Sequence, residues 1–346
     1  MNKELKILDL YCGAGGFSLG FEQAGFKVKY AIDNSKLVQE TFEYNHPNTE
    51  FILNDIREQD PKDFKNINII IGSPPCTEFS IANNNPQLNK GLELVKEYFR
   101  FIKEINPEFW IMENVPQISK HLTNIDFSIP ITKIFNCANY GIPQKRKRCF
   151  AGNYIFPIAS HSKNPHYSFF GDKQENWMTT WDAISDIIFI EPNQDNFPNH
   201  NNYNFNQEKN NPKYLGKFQG LKILNLNEPS YTITDNHGNT NLIPNHNYFE
   251  LSQVRNPLNS GGNSNFYKSN EPARTITTIP HKIMASNLMQ YRRLTVRECA
   301  RLQSFPDEFI FFGSLTSQYK MVGNAVPPLM AYKLALAINN KKEAKS

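Results

Sequence analysis

Lys6-Ile7-Leu8-Asp9-Leu10-Tyr11-Cys12-Gly13-Ala14-Gly15-Gly16-Phe17 sets a short apolar run against a glycine-dense turn, and a helical pattern follows through Ala24. Glycine lets backbone bend tightly and lets a ligand approach it closely, so the stretch reads as a strand, a tight turn and a helix. The same alternation continues outward. Lys27–Ile32, Ile67–Ile71 and Phe109–Met112 read as strands, with later ones at Ile131–Asn136 and Cys149–Ile155. Phe17–Ala24, Leu37–Asn45 and Leu92–Ile105 carry helical periodicity between them. Strands alternating with helices predict an α/β fold, its sheet covered on both faces.

At 346 residues the chain has room for about two domains with a sizeable core. No segment reaches the ~20 apolar residues of a membrane span, and the first strand begins too early for a signal peptide to precede it, so no membrane is expected. The five cysteines are odd in number and contain no C-x-x-C pair. Disulfide and zinc frameworks are therefore not expected, and a reducing cytoplasm is. The eight histidines show no metal-ligand spacing. A net charge of +4 permits a polyanionic partner without demonstrating one.

The region 156–287 differs in character: rich in Asn, Pro, Tyr and Phe, with little helical period. An AT-rich genome would enrich Asn in any loop-rich insertion, so composition alone assigns it no role. Helical character returns at Leu294–Leu302, where Thr295 and Glu298 form a capping-box pattern.

Two residue groups suggest chemistry. The apolar run Ile67–Ile71 ends in Gly72-Ser73-Pro74-Pro75-Cys76, a stiff turn that presents one thiol at a strand's carboxyl end. Phe109–Met112 ends in Glu113-Asn114-Val115. Carboxyl ends of parallel strands line the ligand crevice, so thiol and carboxylic acid can meet there. Covalent attack on an electrophile that also needs a proton is the chemistry they suggest. Elsewhere, Gly13 and Gly15 lie in the first turn, Asp33 ends strand two, and Asp55-Ile56 closes strand three. Asp33 can take a ribose hydroxyl pair and Asp55 an adenine amino group. A tight structural turn is the alternative reading of the glycines alone. The loop lacks the full G-x-G-x-x-G spacing, and without a pyrophosphate to cradle, S-adenosylmethionine fits better than NAD. Gln144-Lys145-Arg146-Lys147-Arg148, taken alone, reads as a solvated basic turn.

Together these motifs resemble the C5-cytosine-specific DNA methyltransferases of prokaryotic restriction-modification type. The matching stretches, in family order, are Asp9–Phe17, Asp33, Asp55-Ile56, Pro74-Pro75-Cys76, Glu113-Asn114-Val115 and Gln144–Arg148. After the variable region come Arg292–Arg301 with Ser304-Phe305-Pro306-Asp307, and then Gly323-Asn324-Ala325-Val326. The resemblance implies a Rossmann-like, S-adenosylmethionine-dependent mixed sheet with helices on both faces, plus a smaller loop-rich target-recognition domain. Residues 1–155 and 288–346 would form the catalytic and cofactor domain, and 156–287 the target-recognition domain.

The resemblance also implies the reaction. Cytosine C5 is a poor nucleophile, so Cys76 adds to C6 first. A thiol of pKa ~8.5 is largely un-ionised near neutrality, so Cys76 needs activation. Glu113, its pKa raised by burial, would protonate or hydrogen-bond N3. Arg148 would contact the base at O2, and Arg146 would hold phosphate or a closed loop. Phe17 would pack on the cofactor, with Pro75 and Asn324 bordering its methionine and methyl. Double-stranded DNA is the implied partner, its target base flipped out of the duplex. Thr77–Asn85 would close over it, Ser80 near the flipped nucleotide. Thr275, followed by Ile276, would brace the vacated backbone, with Thr232-Ile233 as the alternative.

Asn34 stands where the family often has an aromatic residue, so a stacking contact on adenine is missing or supplied elsewhere. Relatives acting on transfer RNA share the motif around Cys76, but no Cys-Phe-Thr tripeptide occurs in the variable region. The expected protein is a monomeric, stand-alone modification enzyme functionally paired with a restriction endonuclease.

Overall fold

The computed structural model describes residues 5–76, 79, 87–167, 173–187, 198–200, 222–223, 230–231, 241–244 and 291–343. The opening stretch forms strand β1 (Lys6–Leu10) and helix α1 (Gly16–Gln23). There follow β2 (Lys27–Asp33), α2 (Lys36–Asn45), β3 (Glu50–Leu53), β4 (Ile69–Gly72), α3 (Leu88–Ile105) and β5 (Phe109–Asn114). β6 (Ile131–Asn136), the short β7 (Gln144–Lys145) and β8 (Lys147–Asn153) come next. One seven-stranded sheet has the order β3-β2-β1-β4-β5-β8-β6. β1 to β5 are mutually parallel, whereas β8 runs antiparallel to both β5 and β6. The expected mixed α/β sheet is what forms.

Strand alternation assigns the two faces. Ile7, Ile69, Ile71 and Ile111 join Phe17, Phe21 and Phe150 in one core cluster, which the carboxyl-terminal helix Pro328–Glu343 covers. Leu8, Leu10, Ile70, Trp110 and Met112 point the other way, against Val95, Tyr98 and Phe99 of α3. β1, β4 and β5 are buried on both faces, so they read as almost unbroken apolar runs.

Two glycines of α1 bring the chain's distant end to the first turn. A Cβ at Gly20 would lie 2.3 Å from the Pro328 carbonyl oxygen and 2.5 Å from Ala331 Cβ. At Gly16 it would lie 2.3 Å from the Val326 carbonyl oxygen. Only glycine permits this approach, which sets Asn324–Val326 beside the glycine turn. Leu315–Asn340 is long and apolar enough to resemble a membrane span, but 61% of its apolar window is buried in the fold and Ala325–Pro327 break it into two helices.

The capping box at Thr295 is present in both halves: Thr295 Oγ1 accepts from the Glu298 N–H, and Glu298 accepts from the Thr295 N–H. Parts of the region 156–287 dock on this carboxyl-terminal body. The helix Thr180–Ile184 contributes Ile184 to the cluster of Leu294, Val296 and Phe305. Asn199 bonds Phe311 and Gln318, and Arg297 donates to the Pro198 carbonyl at 3.0 Å. Asn241–Pro244 pairs with Tyr291–Arg293, and Ser230–Tyr231 with β7.

Candidate active site

The first turn is built around Asp33. Gly13 and Gly15 hold φ of +55° and +90°, which lets the chain reverse between β1 and α1. Asp33 Oδ2 accepts from Gly13 N at 2.9 Å, and Oδ1 accepts from Ser35 N at 2.8 Å. Burial raises the Asp33 pKa, and these two backbone donors oppose the rise. A Cβ at Gly13 would meet nothing within 4 Å, so the turn borders open space beside this carboxylate. At Gly15 the corresponding space is filled by the His46 ring.

Asp55 lies just past β3 and caps the turn Ile56–Glu58. Its carboxylate takes Nε and Nη2 of Arg57 at 2.9 and 2.6 Å, and these bonds hold its pKa down at about 2. Exposed Asn34 also hydrogen-bonds Asp55, so it serves that acid rather than offering a stacking face. Ile56 is buried. These acceptors fit an adenosyl group: carboxylates at successive strand ends suit its hydroxyl and amino donors.

Phe17 lies on the buried side of α1. It is 2% exposed and packs edge-on against Phe21 and Phe150, with ring centroids 5.8 and 6.5 Å away. As the second residue of α1 it packs toward the sheet. Tyr11, unassigned from sequence, stands directly after β1 with φ +58° and donates its hydroxyl to the Leu94 carbonyl at 2.7 Å. Asp9 is fully buried; its Oδ2 accepts from Ser18 Oγ at 2.6 Å, its Oδ1 has no hydrogen-bond partner, and burial raises its pKa to about 8.

The candidate reacting groups lie around the ends of β4 and β5 and the start of β8. Glu113, 4% exposed, closes β5 and is paired in register with Phe150 of β8. Side chains directly opposite share a face, and Arg148, two residues from Phe150, shares it too. Arg148 Nε lies 3.0 Å from Glu113 Oε1, and Ser73 donates its hydroxyl to Oε2. Asn114 Nδ2 donates to the Pro74 carbonyl at 2.9 Å, tying the Pro-Pro turn to β5. Cys76 is half-buried beside them, next to exposed Pro75. Burial pushes its thiol pKa up, the Glu113 charge adds to that, and Arg148 and Arg146 pull it down. At rest the sulfur therefore keeps its proton, and a proton taken up by Glu113 would favour the thiolate. The other four cysteines are buried.

Arg146 lies inside the fold. It is 1% exposed, so the reading of Gln144–Arg148 as a solvated turn does not hold at this residue. Its Nη2 donates to the Gly323 and Ala325 carbonyls at 3.0 and 3.2 Å, and burial lowers its pKa to about 9. Gln303, also missed from sequence, donates to the Ala325 carbonyl at 2.7 Å and accepts from Gln144 Nε2 at 2.6 Å. This buried web fixes the turn that exposes Asn324 and ties it to the strand bearing Arg148. Of the stretch 77–85 the described residue is Phe79, buried, its N–H donating to the Cys76 carbonyl at 3.0 Å. Ser80, Thr275 and Ile276, and the alternative Thr232-Ile233, lie outside the described residues. Among the described residues no cluster of metal-ligating side chains occurs.

A cysteine and a glutamate at the carboxyl ends of β4 and β5 thus meet an arginine from the amino end of antiparallel β8, on a sheet whose first turn is glycine-rich with acidic acceptors. The model of the C-5 cytosine-specific DNA methylase family matches residues 5–340, and the chain belongs to that family. It is a DNA (cytosine-5-)-methyltransferase of restriction-modification type. It is 31% identical to the type II methyltransferase M.FnuDI of Fusobacterium nucleatum, covering 96% of this chain and 94% of that protein. With M.DdeI of Desulfomicrobium norvegicum the identity is 29%, over 97% of this chain and 88% of the relative. The fold matches the solved Entamoeba histolytica methyltransferase EhMeth with a TM-score of 0.63 at 15% identity, covering 99% of each chain.

Proposed function

We propose that the chain methylates C5 of a flipped-out cytosine in a specific double-stranded DNA sequence through a covalent bond from Cys76 to C6. The observation that carries this reading is the convergence of Cys76, Glu113 and Arg148, with the Glu113–Arg148 pair at 3.0 Å. Glu113 gives a proton to N3 while Cys76 Sγ attacks C6, and Arg148 orients the carboxyl and faces the base oxygen. S-adenosylmethionine, when bound, supplies a methyl group on a positively charged sulfur. The C5 proton then leaves to water and Cys76 is eliminated. Asp33 would hold the ribose hydroxyls and Asp55 the adenine amino group, with Gly13, Gly15, Asn34 and Ile56 around them. Pro75 and Asn324 would border the methionine part.

Residues 1–155 and 288–346 serve as the catalytic and cofactor domain, and 156–287 as the target-recognition domain, with Ser80 and Thr275 on DNA. Thr180–Ile184 and Pro198–His200 would anchor that region to the catalytic body. The enzyme acts as a cytoplasmic monomer and protects DNA from a partner restriction endonuclease. Cys76→Ser tests the covalent step: it should retain DNA binding and lose turnover, since a serine hydroxyl is a far weaker nucleophile at neutral pH. Substantial methyl transfer by that variant would overturn the mechanism.

A further inference from the structure

Ser73 is the residue whose chemistry the reaction has not yet used. Alternation places it: Ile69 and Ile71 of β4 face the same core cluster as Phe109 and Ile111 of β5, and Ile71 pairs with Ile111. One step further along each strand come Ser73 and Glu113, on that same face. The polar pair thus continues an apolar stripe. Its backbone is held firmly, because Ser73 N donates to the Leu10 carbonyl at 3.1 Å and Asn114 grips Pro74.

The two oxygens of Glu113 have unlike partners. Oε1 meets Arg148 Nε, and a guanidinium can only donate, so Oε1 stays an acceptor. A proton on Glu113 therefore sits on Oε2, the oxygen that Ser73 contacts. A hydroxyl both donates and accepts, and it reverses by rotating one hydrogen.

We infer that Ser73 is a positioning residue for Glu113, donating to Oε2 of the carboxylate and turning its hydrogen away when Oε2 carries the proton. The inference rests on the role proposed above for Glu113. In the addition step a sulfur electron pair forms the Sγ–C6 bond. The C5=C6 pair shifts to C4–C5, and the C4=N3 pair takes the proton from Oε2. The thiolate's negative charge thereby ends on Glu113, where Arg148 and Ser73 each donate to one oxygen. On elimination the N3 proton returns to Oε2.

The test measures covalent adduct formation with duplex DNA carrying 5-fluorocytosine, whose fluorine blocks loss of the C5 substituent and traps the adduct. In the presence of S-adenosylmethionine, Ser73→Ala should slow adduct formation and kcat roughly tenfold to a hundredfold, the range for losing a hydrogen bond to a charged group. Its KM for DNA and its calorimetric S-adenosylmethionine affinity should stay near wild type, which also certifies folding. Ser73→Thr, which keeps the hydroxyl, should recover most of the rate. Wild-type kcat in Ser73→Ala, or a Ser73→Thr rate as slow as Ser73→Ala, overturns the inference while the Glu113 reading stands. If wild type itself forms no adduct on DNA it methylates, the covalent reading fails and takes this inference with it.

Discussion

Replacing Asp33 by Asn removes a charge and one acceptor at nearly constant volume. The two carboxylate oxygens now take Gly13 N at 2.9 Å and Ser35 N at 2.8 Å. An amide has one oxygen, so one of those N–H groups would face an NH2 donor and go unpaired. A buried donor left unsatisfied costs about 1–3 kcal/mol. Burial already disfavours the Asp33 charge, and losing it returns part of that, so the net loss of stability should be near the lower end, about 1 kcal/mol. Cofactor binding should suffer more. A hydrogen bond from a ribose hydroxyl to a charged acceptor contributes about 1.5–3 kcal/mol, so the Kd for S-adenosylmethionine should rise roughly tenfold to a hundredfold. Isothermal titration calorimetry without DNA isolates this from catalysis, and thermal melting reports the stability term. A folded Asp33→Asn variant that binds S-adenosylmethionine within about twofold of wild type would refute the assignment of Asp33.

Arg146→Met should leave the Gly323 carbonyl without its arginine donor, whereas Ala325 keeps Gln303; denaturant unfolding should show a loss of about 1–3 kcal/mol, and unchanged stability would contradict the clasp. Asp9 makes stability depend on pH. Its folded pKa of about 8 lies above the ordinary 3.8, so its stabilising share is full below pH 4 and is lost as pH rises through 8. The melting temperature should fall across that window in the wild type and fall less in Asp9→Asn; parallel curves for the two proteins would count against it. Gly20→Leu should destabilise the fold by at least about 1–3 kcal/mol, because the Pro328 backbone and Ala331 occupy the space a side chain needs. A wild-type melting temperature in that variant would show that α1 and the terminal helix do not pack as described.

What sequence could tell depended on the range of the interaction. The β1–α1 turn, the strand ending at Cys76 and the capping box at Thr295 are local, set by residues a few positions apart, and periodicity exposes them. The motif gives the neighbourhood of Phe17 but not the face its helix turns inward, which packs on Phe150. Arg146 looks solvated among lysines; its burial follows from carbonyls 177 and 179 residues away. The Gln144–Gln303 bond spans 159 residues and leaves no local pattern. Ser73 is legible in principle, since it continues the Ile69–Ile71 face and Glu113 continues that of Ile111. Reading that pair requires the register of β4 against β5, which only the folded sheet supplies.

Methylation of DNA cytosine at C5 is tested most directly by incubating the enzyme with S-adenosylmethionine carrying a labelled methyl group and either duplex DNA or transfer RNA, then analysing the nucleosides. Label in 5-methylcytosine from DNA, and none from transfer RNA, is the predicted result. Label in transfer RNA, or in DNA at any atom other than cytosine C5, would contradict it.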